Sequence, residues 1–371
     1  MKIKLGIFTG ARSDYGLTKK LIRKLINDEV FDVKIYVSGM HLLEKFGHTY
    51  EEILNDGFEI YKKIPTYDDN ESDKCEELTQ TIEKIYRAIY KDELDFGYIV
   101  GDRIEAYGAA LALHFRKIPI LHYAGGQITE GAIDNIYRYN ISNLSYLHFT
   151  TTNSACERLK QSSLITKSNV YFTGSTAIDS ICDFKNNPIN IERYIPNLKS
   201  KDFALMTFHP VTNCEENISL IMSFCVEKIL EQGLQVLITY PNNDDGYEEI
   251  LKVLDEYRDN ESVVIMKNLE TDCYYSAIHS SKFVIGNSSS GIIEVPYFDK
   301  ININIGSRQK GRICDDSVIN LAAETYVVNN ALNKIKNDNW KALPNQYLYG
   351  KGDSCDNIIK IIKNRFYKNG Y

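Results

Sequence analysis

The sequence predicts an α/β protein made of two Rossmann-like, doubly wound domains facing a central cleft. Short apolar runs rich in β-branched residues recur through both halves of the chain. Each run leads into a glycine-bearing or polar loop and then into a stretch with helical spacing, as in a parallel sheet covered by helices on both faces. The length of 371 residues suits two domains, at roughly 100–200 residues each.

Lys2–Phe8 reads as the first strand, ending at Thr9-Gly10-Ala11-Arg12, with a helical pattern from Leu17 to Asn27. Val33–Val37 is a second strand, followed by a polar, helix-prone stretch to about Tyr90. Tyr98-Ile99-Val100 ends at Gly101-Asp102-Arg103 and precedes a small-residue helix over Ile104–Leu113. Ile118–His122 is a further strand with Gly125-Gly126 behind it. In the second half, Phe203–Phe208, Gln235–Tyr240, Val263–Met266, Phe283–Ile285 and Ile301–Ile305 read as strands. Asn187-Pro188, Pro196 and a charged run break the pattern between Ser175 and Lys201, so the domains are expected over 1–180 and 181–354. The C-terminal ends of both sets of strands would line one crevice, where open α/β sheets bind ligands.

The net charge of −7 and the lack of a basic stripe exclude a nucleic-acid partner. An acidic chain that binds an anion needs a local pocket of arginines and backbone N–H groups. No apolar stretch is long enough to span a bilayer, and Met1–Thr9 lacks the length and cleavage site of a signal peptide. Eight scattered cysteines without a CxxC pair exclude the common zinc spacings and fit reduced thiols, so a cytoplasmic protein is expected.

The run Gly286-Asn287-Ser288-Ser289-Ser290-Gly291-Ile292-Ile293-Glu294 places glycines and hydroxyls at an expected helix start, where free N–H groups face an anion. Glu294, about one turn in, can accept from two vicinal ribose hydroxyls; an ordinary serine N-cap is the plainer reading. The run lacks the Gly-Lys-Ser/Thr of a Walker loop. Arg12, Arg103 and Arg308 all follow strands, where a guanidinium can grip a diphosphate or merely pair with a surface carboxylate. Asp102 beside Arg103 is either an ion pair or a catalytic group. His209, at another strand end, is a candidate proton donor to a leaving phosphate oxygen. Thr129 can cap the next helix, and Asp134 and Arg138 share one face of it, making Asp134 an acid/base candidate.

Taken in order, Gly10-Ala11-Arg12-Ser13-Asp14-Tyr15, Ser38-Gly39-Met40-His41, Gly101-Asp102-Arg103, Gly125-Gly126, Gly131-Ala132-Ile133-Asp134, Phe208-His209-Pro210, Pro241-Asn242, Gly286-Asn287-Ser288-Ser289 and Gly306-Ser307-Arg308-Gln309 closely resemble the hydrolysing UDP-N-acetylglucosamine 2-epimerase family, which opens sialic and legionaminic acid synthesis. The resemblance spans roughly residues 4 to 312. It implies a glycosyltransferase-B-like fold, with a C-terminal helix in 355–371 crossing back to the first domain. No metal and no nicotinamide cofactor is implied, and a homodimer or homotetramer is. The implied reaction removes the C2 proton of a nucleotide sugar while the nucleotide diphosphate leaves C1. Water then adds to the glycal to release a free manno-type sugar. Position by position, Arg12, Asn242, Ser288, Ser289, Ser290, Gly291, Glu294 and Arg308 match nucleotide-contacting segments, and Arg103 matches a ligand-contacting arginine. Asp102, Asp134 and His209 match the catalytic positions.

Four positions depart from the family's pattern. Ala124 stands where Glu or His is usual, Gln127 where Glu is common, Asn135 where an acid is frequent, and Tyr139 where His is usual. Losing one positioned acid or base costs about 10²–10⁴-fold in rate. In one reading Asp102, Asp134, Glu130 or Tyr139 takes over the proton transfer, and the pocket takes a less polar sugar such as a 2,4-diacetamido-6-deoxy hexose. In the other the protein binds a nucleotide sugar without turnover. A glycosyltransferase on the same fold is a third. The matching nucleotide positions favour the first.

Overall fold

Among the described residues, each strand pairs in parallel with its neighbours, and the strands form one seven-stranded and one six-stranded sheet. The computed structural model describes residues 2–44, 47–67, 73–128, 134–211, 216–241, 246–267, 269–337 and 341–368. The chain divides into two compact units: unit 1 is Met1–Ile128, Ala132–Ser180 and Tyr349–Tyr371, and unit 2 is Thr129–Gly131 and Ile181–Leu348.

Unit 1 runs β1 (Ile3–Thr9), α1 (Arg12–Ile26), β2 (Phe31–Ser38), a 3₁₀ turn, α2 (Tyr50–Asn55), β3 (Lys62–Ile64), α3 (Lys74–Ala88), β4 (Phe96–Val100), α4 (Ile104–Phe115), β5 (Ile120–Tyr123), α5 (Asp134–Leu144), β6 (Leu147–Thr150), α6 (Asn153–Lys160), β7 (Val170–Phe172) and α7 (Thr176–Asn186). Its strand order is β3-β2-β1-β4-β5-β6-β7. The division from unit 2 falls inside α7, which continues until the chain meets Asn187-Pro188.

Unit 2 runs β8 (Phe203–Thr207), α8 (Ile218–Leu230), β9 (Gln235–Thr239), α9 (Tyr247–Glu256), β10 (Val263–Met266), α10 (Thr271–Ser280), β11 (Phe283–Gly286), α11 (Ser289–Ile293), β12 (Asn302–Ile305), β13 (Val318–Leu321) and α12 (Thr325–Lys336). Its order, β10-β9-β8-β11-β12-β13, repeats the Rossmann pattern of unit 1. α13 (Ser354–Lys368) then belongs to unit 1.

Central strands buried on both faces explain the continuous apolar runs; β4 and β8 are buried along their whole length. Small residues let the layers close. A Cβ at Gly97 would lie 2.5 Å from Leu113, and one at Gly108 would lie 2.6 Å from Thr81 of α3. In α13, Cys355, Ile358, Ile362 and Phe366 repeat at helical spacing and are 0–1% exposed. Asp179 accepts from Ser354 N (3.0 Å) and Cys355 N (2.8 Å), capping the helix from outside its own sequence.

Three differences from the sequence pattern have local causes. α1 starts at Arg12, five residues before the expected Leu17, because Asp14 is buried in its first turn and Thr18 hydrogen-bonds back to the Asp14 carbonyl. The sequence pattern does not mark β3, β6, β7 or β13; β3 and β7 contain only three residues each, too few for periodicity to announce. The helix after the serine run is only five residues long, so Glu294 closes it at its C-terminal end, ahead of Pro296.

Candidate functional site

In a doubly wound sheet the ligand end is the C-terminal edge of the strands, at the point where strand order reverses. That point lies between β1 and β4 in unit 1 and between β8 and β11 in unit 2. Arg12 and Asp102-Arg103 follow the first pair of strands, and His209 and Asn287–Ser290 follow the second.

Unit 1 gathers charge there. Arg103 is the N-cap residue of α4; its Nη2 meets Met40 Sδ at 2.8 Å and its Nε lies 3.4 Å from Glu105 Oε2. Glu105, 2% exposed, also accepts from the Tyr67 hydroxyl at 2.6 Å. Asp14 shares this electrostatic neighbourhood. Burial pushes its carboxyl up to about 6, with Arg103 pulling it down and Glu105 pushing it up. Asp134, the first residue of α5, is exposed and within electrostatic reach of Arg103. Arg12, also exposed, forms an ion pair with Glu52 at 2.8 Å. His41 is buried between the hydroxyls of Thr9 (2.9 Å) and Thr49 (2.8 Å), and burial pushes its imidazole down to about 4.

Asp102 forms an ion pair with Arg138. The same guanidinium donates to Gln127 O (2.8 Å) and Asn135 Oδ1 (2.9 Å), and Arg138 is 5% exposed. Three of the four departures therefore have a structural place. Asn135 supplies a neutral side-chain acceptor to Arg138, Gln127 accepts through its backbone carbonyl while its side-chain amide donates to Thr151 Oγ1, and the Tyr139 hydroxyl donates to Gly126 O at 3.5 Å. Ala124, the fourth, holds φ at +65°, a left-handed conformation costly for any residue with a Cβ. Thr129 and Glu130 lie outside the described residues.

Unit 2 presents a mostly neutral edge. Ser288 is the N-cap residue of α11 and Ser289 its first residue. Tyr274 donates to Ser290 Oγ at 2.8 Å, and Ser290 donates to Glu294 Oε2. Burial pushes the Glu294 carboxyl above its ordinary value. Gly291 is required by packing, since a Cβ there would stand 2.6 Å from the Asn302 amide. His209 is half-buried, and Arg308 Nη1 donates to Asn287 O at 3.3 Å. Glu216 accepts from Ser307 N at 2.9 Å, a carboxylate already resting on the amide after β12. Asn242 lies outside the described residues. Among the described residues no cluster of His, Cys, Asp or Glu is arranged to hold a metal, and no helix is long and apolar enough to cross a membrane.

Asp14, Glu105, Glu216 and Asn287 are the site residues to which sequence reasoning gave no role. Asp14 and Asn287 stood in quoted motifs, but their partners lie about ninety and eighty residues away and are met only through the topology.

Two parallel sheets of this order with polar residues at their switch points define a protein of two Rossmann-like α/β units. The chain belongs to the UDP-N-acetylglucosamine 2-epimerase family, whose model matches residues 23–363, and it is a nucleotide-sugar 2-epimerase. It is 30% identical to the UDP-N,N'-diacetylbacillosamine 2-epimerase (hydrolyzing) of Legionella pneumophila, over 97% of this chain and 95% of that protein. It is 31% identical to the GDP/UDP-N,N'-diacetylbacillosamine 2-epimerase (hydrolyzing) of Campylobacter jejuni, over 92% of this chain and 89% of that protein. The fold is shared with the Neisseria meningitidis UDP-GlcNAc 2-epimerase solved bound to UDP-GlcNAc: TM-score 0.82, 20% identity, 98% of this chain and all (100%) of that one.

Proposed function

We propose that this protein converts a UDP-2,4-diacetamido-trideoxy hexose, or UDP-GlcNAc, to UDP and the free 2-epimeric sugar by elimination and hydration. The observation that carries this reading is the Asp102–Arg138 ion pair beside Arg103, at the switch point of a sheet in a chain of this family. The two relatives at 30–31% identity are named for diacetylbacillosamine nucleotides, which supports the diacetamido sugar. Ala124, a methyl where an ionisable group is usual, supports a less polar sugar as well.

Asp102 and Asp134 are assigned to proton transfer at C2, and His209 to protonation of the phosphate oxygen as the C1–O bond breaks. Arg12, Arg103 and Arg308 offset the diphosphate charge. Asn242, Ser288, Ser289, Ser290, Gly291 and Glu294 hold the nucleotide, with Glu294 on the ribose. We assign the product to sialic- or legionaminic-type acid synthesis in the cytoplasm, and the working form to a homodimer or homotetramer, which light scattering measures.

The test is incubation in D₂O with UDP-GlcNAc and UDP-diacetamido-trideoxy sugars, followed by NMR. UDP release with deuterium at C2 of the free sugar is expected. Release of neither product from any donor sinks the reading. The Ala124 methyl also favours a second reading, nucleotide-sugar binding without turnover, for which UDP would raise the melting temperature while no sugar appears. A glycosyltransferase would release UDP only with an acceptor present.

A further inference from the structure

β8 and β11 pair in parallel, with Gly286 opposite Thr207, and both strands stop there. The next residue, Asn287, is fully buried and continues the pairing in another way. Its N–H donates to Thr207 O at 3.0 Å. Its side-chain Oδ1 accepts from His209 N at 2.7 Å, and its Nδ2 donates to His209 O at 2.8 Å. A backbone donor and acceptor presented together fix the amide's orientation, because the flipped form would set like against like. The Asn287 carbonyl accepts from Gln309 Nε2 (2.9 Å) and Arg308 Nη1 (3.3 Å). One buried residue thus ties the turn bearing His209 to the loop bearing Arg308.

We propose that Asn287 is a positioning residue that aims His209 through its side chain while anchoring Arg308 and Gln309 through its backbone, an inference that rests on the functional reading above. The two tasks are separable, since a substitution changes the amide and leaves the carbonyl in place. Small misplacements of a reacting group cost up to about 100-fold in rate.

The experiment compares Asn287→Asp and Asn287→Ser with the wild-type full chain. Asp keeps the acceptor for His209 N but turns a second oxygen on His209 O; Ser keeps one short polar group where the larger Ala lesion risks unfolding. Folded variants are expected to lose about 10- to 100-fold in kcat while binding UDP within about threefold of wild type. The His209 imidazole signal, assigned by its loss in His209→Gln, is expected to change its response to UDP in Asn287→Asp. Unchanged kcat in folded variants, kcat and UDP affinity falling by one common factor, or an unaltered His209 response each overturns the proposal. Absence of turnover in the wild type would remove the functional reading instead, and the His209 signal would still decide the positioning role.

Discussion

The two units share one strand order but spend their switch points differently. In unit 1 the edge holds charges matched against charges: Asp102 with Arg138, Glu105 with Arg103, and Asp14 near both members of the latter pair. In unit 2 it holds amides, hydroxyls and the Asn287 clamp, with Glu294 fed by a Tyr274–Ser290 relay. One scaffold thus carries a side built on paired charges and a side built mainly on neutral hydrogen bonds. Ionisable groups of opposed charge tune one another, whereas neutral hydrogen bonds mainly fix position.

The sharpest way to break this comparison is at the fourth strand of each sheet. A Cβ at Gly286, where φ is +143°, would stand 1.9 Å from Thr207 O, whereas a Cβ at Gly101, where φ is +73°, meets nothing within 4 Å. Gly286→Ala is expected to destabilise unit 2 by more than about 4 kcal/mol. Gly101→Ala is expected to cost unit 1 only the backbone strain of about 1–2 kcal/mol. Urea unfolding of both variants measures the difference, and equal losses would refute it.

Arg138→Gln probes the charged side. With the guanidinium gone, Asp102 loses its counter-ion, and kcat is expected to fall about 100-fold or more with UDP affinity unchanged. Steady-state kinetics beside UDP calorimetry reads both, and a parallel loss of binding would place Arg138 on the nucleotide instead.

Acid separates the units by stability. His122 and His148 sit opposite each other on β5 and β6, and burial pushes them down to about 4 and about 3, with His122 adding to the effect on His148. An unfolded histidine takes its proton near 6.5 and these do not, so stability is full above 6.5 and is lost as pH falls toward 4. At pH 5 the loss is about 2 kcal/mol per histidine. Asp14 runs the other way: raised to about 6, its contribution is complete below 3.8 and is lost as pH rises through about 6, too little to offset two histidines. Urea midpoints at pH 7.5 and 5 check this. Replacing both histidines with Gln should remove most of the decline, leaving the share owed to His41, which burial also pushes down to about 4, and an unaltered profile would acquit them.

The smallest effect belongs to Tyr274→Phe, which removes one hydrogen bond from the Ser290–Glu294 relay. UDP binding should weaken between about 2- and 10-fold, from a bond worth about 0.5–1.5 kcal/mol, with kcat retained. Calorimetry decides it.

The strand ends were legible because parallel sheets demand unbroken apolar runs, and Phe203–Thr207 and Val263–Met266 declare themselves. Lys62–Ile64 did not, since two of its three residues are lysines on an edge strand. The arginines and His209 could be named from their place after a strand, but their partners could not. Glu52 meets Arg12 across forty residues, and Asn287 meets His209 across seventy-eight. Sequence spacing announces neighbours on one element, and only the winding order says which loops arrive side by side.

The return of α13 to unit 1 has a consequence for how the chain is made. Among the described residues unit 2 is one contiguous stretch, whereas unit 1 is completed by Cys355, Ile358, Ile362 and Phe366, which are synthesised after all of unit 2. A ribosome-bound chain stopped before Ser354 therefore leaves those core positions vacant and Asp179 without the amides it caps. The inserted unit can reach its native packing during translation, while the unit whose segments flank it in sequence must wait for its last helix to emerge.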